Sequence, residues 1–143
     1  MEIGAFSVSL SVKDLDVSRK FYEALGFEAS GGDASQGWLI MRSGPTVIGL
    51  FKGMFEGNLL TFSPGWDQYA KELPAFEDIR VIQKRLKERG VRLTSEADEA
   101  GTGPASFTLE DPKPTSDVLV EEELVAVRVL EAGTGPASFT LED

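Results

Sequence analysis

Phe6 to Val12 alternates strictly, with Val8, Leu10 and Val12 on one side and Ser7, Ser9 and Ser11 on the other. Period two sustained over such a run predicts a strand with one apolar face. Asp14 suits the N-cap of a helix from Leu15 to Leu25, where Val17, Phe21, Tyr22 and Leu25 form a stripe at helical spacing. Gly26 follows in the C-terminal position that favours positive φ. Three extended stretches come next: Phe27 to Ser30, Gly37 to Arg42 and Thr46 to Lys52. Gly31-Gly32-Asp33 is expected to separate the first two, and Ser43-Gly44-Pro45 to turn the second into the third.

The order then begins again. Asn58 to Ser63 reads as a strand, followed by a loop through Pro64-Gly65-Trp66 and a helix near Glu77 to Arg89 with the stripe Phe76, Ile79, Ile82 and Leu86. Gly90 ends that helix, and Val91 to Ser95 and Ala105 to Glu110 are the next strands. Leu25-Gly26-Phe27-Glu28-Ala29 has its counterpart in Arg89-Gly90-Val91-Arg92-Leu93. The reading is therefore α+β: two βαβββ modules forming curved mixed sheets around a concave groove, with helices outside and an atypical extra β segment at the C-terminus. The boundaries expected are 1–56 for the first module, 57–123 for the second and 124–143 for an atypical tail. In that tail Val125, Val127 and Val129 alternate with Ala126 and Arg128, which favours a strand over a helix.

Composition narrows the chemistry. The 143 residues include no cysteine and no histidine, which removes thiolate clusters, disulfides, thiol nucleophiles and imidazole bases or ligands. Residues 1–94 balance 12 basic against 12 acidic side chains, so the net charge of −10 arises in residues 95–143, where Lys113 and Arg128 face 12 carboxylates. Such a chain repels phosphate backbones, and nucleic-acid binding is not expected. The acidic half suits either plain solubility or attraction of a cationic ligand. No apolar run approaches the roughly 18 residues of a membrane span, and no signal segment is evident, so no membrane partner and a cytoplasmic location are expected.

The run Val8-Ser9-Leu10-Ser11-Val12-Lys13-Asp14-Leu15, with Ser18-Arg19-Lys20-Phe21-Tyr22-Glu23-Ala24-Leu25-Gly26-Phe27, resembles the vicinal-oxygen-chelate superfamily of glyoxalases, extradiol dioxygenases and bleomycin-resistance proteins. The paired pattern carries the resemblance over about residues 5–111, and Ser106 to Pro112 is similar to the start of that family's last hairpin. The resemblance implies one divalent metal held by His and Glu from four strands in the catalytic members. Its ligand positions fall here on Ser7, Gly49, Leu59 (or Asn58) and, last, near Val118 or Leu119. A hydroxyl, a hydrogen atom and aliphatic side chains cannot hold a divalent ion against water, so no metal and no cofactor are expected.

If the apolar strand faces pack on the helices, the opposite faces line the groove. That gives a ligand-binding set of Ser7, Ser9, Trp38, Arg42, Gly49, Phe51 and Thr61, with no catalytic residue assigned. Trp38 and Phe51 suit stacking on a flat ligand, or simply fill the groove or a subunit contact. Arg42 suits a carboxylate or phosphate. Met54-Phe55 and Trp66 stand in connections, as loop anchors or as parts of a lid.

Glu99 to Asp111 reads EAGTGPASFTLED, and Glu131 to Asp143 repeats all thirteen letters. Either a recent or engineered duplication explains this, or two copies competing for one strand slot, which opens a route to a homodimer by strand exchange. Three functions remain open. The first is a metal-independent small-molecule binding or sequestration protein. The second is a glyoxalase- or dioxygenase-like enzyme, although the ligands it needs are absent. The third is an engineered or rearranged scaffold without a native ligand.

Overall fold

The computed structural model describes residues 2–111 and 126–131. Its elements run β1 (Ala5–Val12), α1 (Leu15–Ala24), β2 (Glu28–Asp33), β3 (Trp38–Ser43), β4 (Thr46–Lys52), β5 (Leu59–Ser63), α2 (Ile79–Glu88), β6 (Leu93–Ser95), β7 (Ala105–Glu110) and β8 (Ala126–Glu131). The eight strands form one mixed, unclosed sheet in the order β2-β3-β4-β1-β5-β8-β7-β6. Two pairs are parallel, β1 with β4 and β5 with β8, and the remaining neighbours are antiparallel. The fold is thus the α+β arrangement of a βαβββ unit met twice, with the strand after β7 supplied by Ala126–Glu131.

Each helix covers one half of the sheet. Asp14 caps α1 by accepting from the Val17 N–H at 3.1 Å, and Asp78 caps α2 by accepting from the Arg80 N–H at 2.8 Å. Under α1, Leu15, Leu39, Met41 and Leu50 pack with Leu10, Val12, Tyr22 and Ile48. Under α2, Ile79, Ile82, Phe107 and Val129 pack with Phe62, Leu86 and Leu109. Both cores draw on alternate strand residues, so the other set of alternate residues faces away from the helices.

Three expectations are corrected here. Gly31-Gly32-Asp33 is not the turn after the second strand; it pairs with Ile40, Leu39 and Trp38 as the end of β2, and the turn is a 3-10 segment, Ala34–Gln36. Gly32 holds φ +92° where a Cβ would lie 2.8 Å from the Leu39 Cα and the Trp38 carbonyl oxygen, which explains how glycine belongs inside an edge strand. In α1 the stripe is only partly buried: Leu15 and Tyr22 face the sheet, whereas Val17, Phe21 and Leu25 are exposed. Phe76 precedes α2 and stays half exposed, its ring lying against Gly65.

Glu131 ends β8 with its carboxylate 3.4 Å from the Arg80 Nη1. Burial, with repulsion from Asp78 next, raises its pKa above the usual 4.5, more than Arg80 offsets. A folded-state pKa above the unfolded one means that the folded chain binds the extra proton. The stability this confers is complete below the unfolded pKa and is lost as pH rises through the folded value. Glu131→Gln is therefore expected to melt with the parent at pH 4 and above it at pH 7, with a flatter dependence between. A variant that is destabilised equally at both pH values contradicts this.

Candidate ligand cup

The face turned away from the helices presents Ser7 and Ser9 from β1, Trp38, Ile40 and Arg42 from β3, Val47, Gly49 and Phe51 from β4, and Thr61 and Ser63 from β5. Register fixes how these meet. Ser7 pairs with Thr61 and Ser9 with Leu59 across the β1–β5 join, and Ser9 lies beside Gly49 while Thr61 lies beside Arg128. A two-fold axis through the Val8–Leu60 pair would exchange Ser7 with Leu59, Ser9 with Thr61, and Gly49 with Arg128. The residue equivalent to Gly49 in the second half is thus Arg128. Val118 and Leu119, the positions that the resemblance suggested, lie outside the described residues.

Arg128 is the group at the centre of the cup that sequence reading missed. It is 6% exposed. Its Nη2 donates to the Ser9 Oγ and the Thr61 Oγ1, both at 3.2 Å, and these hydroxyls are 2.8 Å apart. Its guanidinium carbon lies 6.0 Å from the Phe51 ring centre and 5.9 Å from that of Phe55. Hydrogen bonds to a charged donor contribute about 1.5–3 kcal/mol each and a ring face about 0.5–2, which together offset a desolvation cost of several kcal/mol. The sequence signal was present: an arginine alternating with Val127 and Val129 in an otherwise apolar strand must project from the face opposite them.

The other aromatic groups complete this wall. Trp38 stacks on Phe51 with centroids 6.2 Å apart and planes 2° from parallel, and Phe55 leans on Phe51 at 5.4 Å. Phe55 arrives from the loop after β4 because its carbonyl accepts from the Ser11 Oγ at 3.0 Å. Gly49 makes room for the stack, since a Cβ there would lie 2.5 Å from the Phe51 Cε2. Of the seven residues expected to bind ligand, Ser9, Trp38, Gly49, Phe51 and Thr61 therefore gather around Arg128. The other two, Ser7 and Arg42, lie elsewhere.

Ser7 and Arg42 line a cavity of about 250 Å³ beside this cluster, with Ile40, Val47, Ser63 and the loop Trp66–Ala70. The Gln68 amide is the main side-chain tie of this loop, beside the Ala5 N–H, which donates to the Trp66 carbonyl at 3.0 Å. Gln68 Oε1 accepts from the Phe6 N–H at 2.8 Å, and its Nε2 donates to the Phe6 carbonyl at 2.6 Å and the Pro45 carbonyl at 2.7 Å. Asp67 shapes the turn by accepting from the Tyr69 and Lys71 N–H groups at 2.8 and 3.1 Å. Those N–H groups, Lys71 first, hold its carboxyl below the usual range. Ala70 sits at φ +61°, the one non-glycine residue with positive φ among the described residues. Trp66 is buried in this arrangement and walls the cavity.

Arg42 donates from Nη1 to the Gln68 carbonyl at 2.6 Å, and its guanidinium carbon lies 5.9 Å from the Tyr69 ring centre. Among the described residues no carboxylate lies within ion-pair distance of it. Ser7 and Ser63 are 7% and 5% exposed, and neither hydroxyl makes a hydrogen bond among the described residues. The cavity thus combines an apolar wall with the Arg42 guanidinium, the Asp67 carboxylate and the hydroxyls of Ser7 and Ser63.

The four positions that would hold a divalent ion carry Ser7, Gly49, Leu59 and Arg128. One of the four is itself a cation, and two offer no donor atom, so this set does not fit a metal. No group of three or more Asp or Glu among the described residues supplies an alternative.

The fold has relatives among solved structures. The chain is similar to a glyoxalase/bleomycin resistance protein/dioxygenase superfamily member from Vibrio splendidus 12B01, at 15% identity and TM-score 0.56, covering 88% of this chain and 97% of that one. It is similar to an NAD-dependent benzaldehyde dehydrogenase from Legionella pneumophila, at 14% identity and TM-score 0.59, covering 87% and 96%. It is also similar to methylmalonyl-CoA epimerase from Mycobacterium tuberculosis, at 18% identity and TM-score 0.53, covering 90% and 87%. No curated protein matches the chain.

Gly49→Ala is expected to cost about 1–3 kcal/mol in urea unfolding, because Phe51 has Trp38 and Phe55 against it and cannot swing away. Parent-like stability would show that the stack yields freely. Residues 4–114 match the model of the Glyoxalase/Bleomycin resistance protein/Dioxygenase superfamily, and the chain belongs to that superfamily.

Proposed function

We propose that this protein binds a small molecule in the cavity under the Trp66–Ala70 loop, without a metal ion, and acts by holding its ligand rather than by turning it over. The observation that carries this reading is Arg42 at the cavity wall, with no carboxylate within ion-pair distance among the described residues although Asp67 shares the lining, beside the hydroxyls of Ser7 and Ser63. Ligand sites typically combine apolar walls with a few polar groups that fix orientation. Ile40, Val47, Trp66 and Tyr69 supply the walls here. A compact ligand with a flat apolar body and one carboxylate or phosphate suits this lining, because a guanidinium gives two parallel donors to such a group.

A metal-dependent glyoxalase or dioxygenase reaction is disfavoured by the donor set, in which Arg128 stands where a fourth ligand would be. No helix among the described residues is long and apolar enough to cross a membrane.

The test is thermal melting against small aromatic and aliphatic carboxylates, each paired with its neutral amide. A ligand at one hundred times its Kd stabilises by about 2.7 kcal/mol. Carboxylates are expected to raise the Tm where the amides do not, and Arg42→Met is expected to abolish the difference while leaving the ligand-free melt cooperative. Equal stabilisation by amides, an undiminished shift in Arg42→Met, or no shift from any carboxylate would overturn the proposal.

A further inference from the structure

We infer that the cavity is built for a compact zwitterion, an α-amino acid with an apolar side chain, whose carboxylate meets Arg42 while its ammonium meets Asp67. The inference rests on the ligand reading proposed above and narrows it. The carboxylate on Arg42 is kept, and a cationic nitrogen is added to the same molecule.

The charges of the lining give the first reason. Among the described residues, the cavity is lined by two ionised side chains, Arg42 and Asp67, one of each sign. Glu28, opposite Arg42 in the β2–β3 register, and Lys71, beyond the turn, are exposed and lie outside the lining. A cavity that is neutral in sum does not favour a simple anion. An acid filling it would satisfy Arg42 and at the same time strip water from Asp67, leaving a carboxylate among apolar groups with a like charge nearby. A ligand with both charges removes that penalty, because each ion of the site gains an opposite one.

The geometry keeps both groups open to a ligand. Asp67 Oδ1 accepts from the Tyr69 and Lys71 N–H groups at 2.8 and 3.1 Å, whereas its Oδ2 accepts no hydrogen bond among the described residues. Arg42 commits Nη1 to the Gln68 carbonyl at 2.6 Å, and its Nε and Nη2 donate to no group among the described residues. The guanidinium thus binds the residue next to Asp67 in the chain, yet no ion pair closes between the two. The turn keeps them apart. The Asp67 N–H donates to the Lys71 carbonyl at 2.8 Å, the Ala70 N–H to the Asp67 carbonyl at 3.0 Å, and the Leu73 N–H to the Gly65 carbonyl at 2.8 Å. For Asp67 to reach Arg42 it would have to give up its two side-chain bonds to that turn. Opposite charges fixed near one another but unjoined form a preorganised receptor for a molecule that carries the complementary pair.

Size and wall chemistry agree. The cavity holds about 250 Å³, below the roughly 300 Å³ at which drug-sized ligand sites begin, so one amino acid suits it better than a larger conjugate. Ile40, Val47 and Trp66 offer apolar surface to the side chain. The hydroxyls of Ser7 and Ser63 can accept from an ammonium or donate to a carboxylate.

The test is isothermal titration of the full chain with L-leucine and L-phenylalanine. Each is compared with the acid that lacks its ammonium (isocaproate, hydrocinnamate) and with the amine that lacks its carboxylate (isoamylamine, phenethylamine). At least one amino acid is expected to bind about tenfold to a hundredfold more tightly than both of its truncated partners, the factor that one charge-assisted contact supplies. Asp67→Asn, whose amide oxygen still accepts from the turn, is expected to lower the amino acid to the affinity of its acid without weakening the acid. Arg42→Met is expected to lose both. A ligand-free melt checks that each variant folds, and the parent series decides alone if Asp67→Asn does not. Acids or amines that bind the parent as tightly as the amino acids, or an undiminished preference for the amino acid in Asp67→Asn, would overturn the inference. Acids bound through Arg42 would still leave the broader carboxylate reading standing. Failure of acids and amino acids alike would overturn the inference, and the carboxylate and amide melting panel then decides the broader reading separately.

Discussion

Arg128 reaches from β8 over β5 to β1, and its Nη2 meets two hydroxyls that are themselves in hydrogen-bond contact. The rest of the cup follows from having to accommodate that buried cation. Ser9 and Thr61 must be small and polar to accept from it, and Phe51 and Phe55 present ring faces to it. Gly49 must lack a side chain so that Phe51 can lie flat on Trp38. Because β1 belongs to the first half of the sheet and β5 and β8 to the second, the same contacts join the two halves.

Filling the centre in this way moves the open volume to one side. The cavity belongs to the first half, where Ser7, Arg42 and Val47 are roofed by the Trp66–Ala70 loop. That loop is tied to β1 and to the β3–β4 turn by Gln68, and to β1 also by the Ala5 N–H on the Trp66 carbonyl, so roof and wall are a single hydrogen-bonded unit. The second half has no comparable roof among the described residues; its concave side carries the hydroxyls of Thr94, Ser95 and Thr108, engaged with one another. The two equivalent halves of the superfamily architecture thus differ here in how their concave sides are filled.

Much of this was legible from local pattern. β4 and β7 have the bounds that their glycine- and proline-containing flanks lead one to expect, because those flanks suit turns rather than strand. The division of each strand into a helix-facing and a groove-facing set was likewise readable from period two. Legibility ended where a local signal competes with tertiary context. Two glycines and an aspartate look like a turn, yet the sheet edge absorbs them as strand. The stripe on α1 looked like core, yet the sheet meets only its Leu15 and Tyr22 side. The Trp66–Ala70 roof was beyond sequence reading because its defining bonds join Gln68 to Phe6, 62 residues away. Arg128 was readable by alternation, but the resemblance drew attention to residues near 118 instead.

The idea on which function depends is that a guanidinium has taken over the role an ion would play, leaving no donor set for one. Metal analysis of the purified protein, with melting in Mn²⁺, Fe²⁺, Co²⁺, Ni²⁺ and Zn²⁺, examines it without knowledge of the ligand. A protein whose own cation fills the cup retains no stoichiometric metal and melts at the same temperature with or without each ion. A tightly held divalent ion, or a rise of several degrees at modest concentration, would mean that the native state binds metal specifically, and would contradict it.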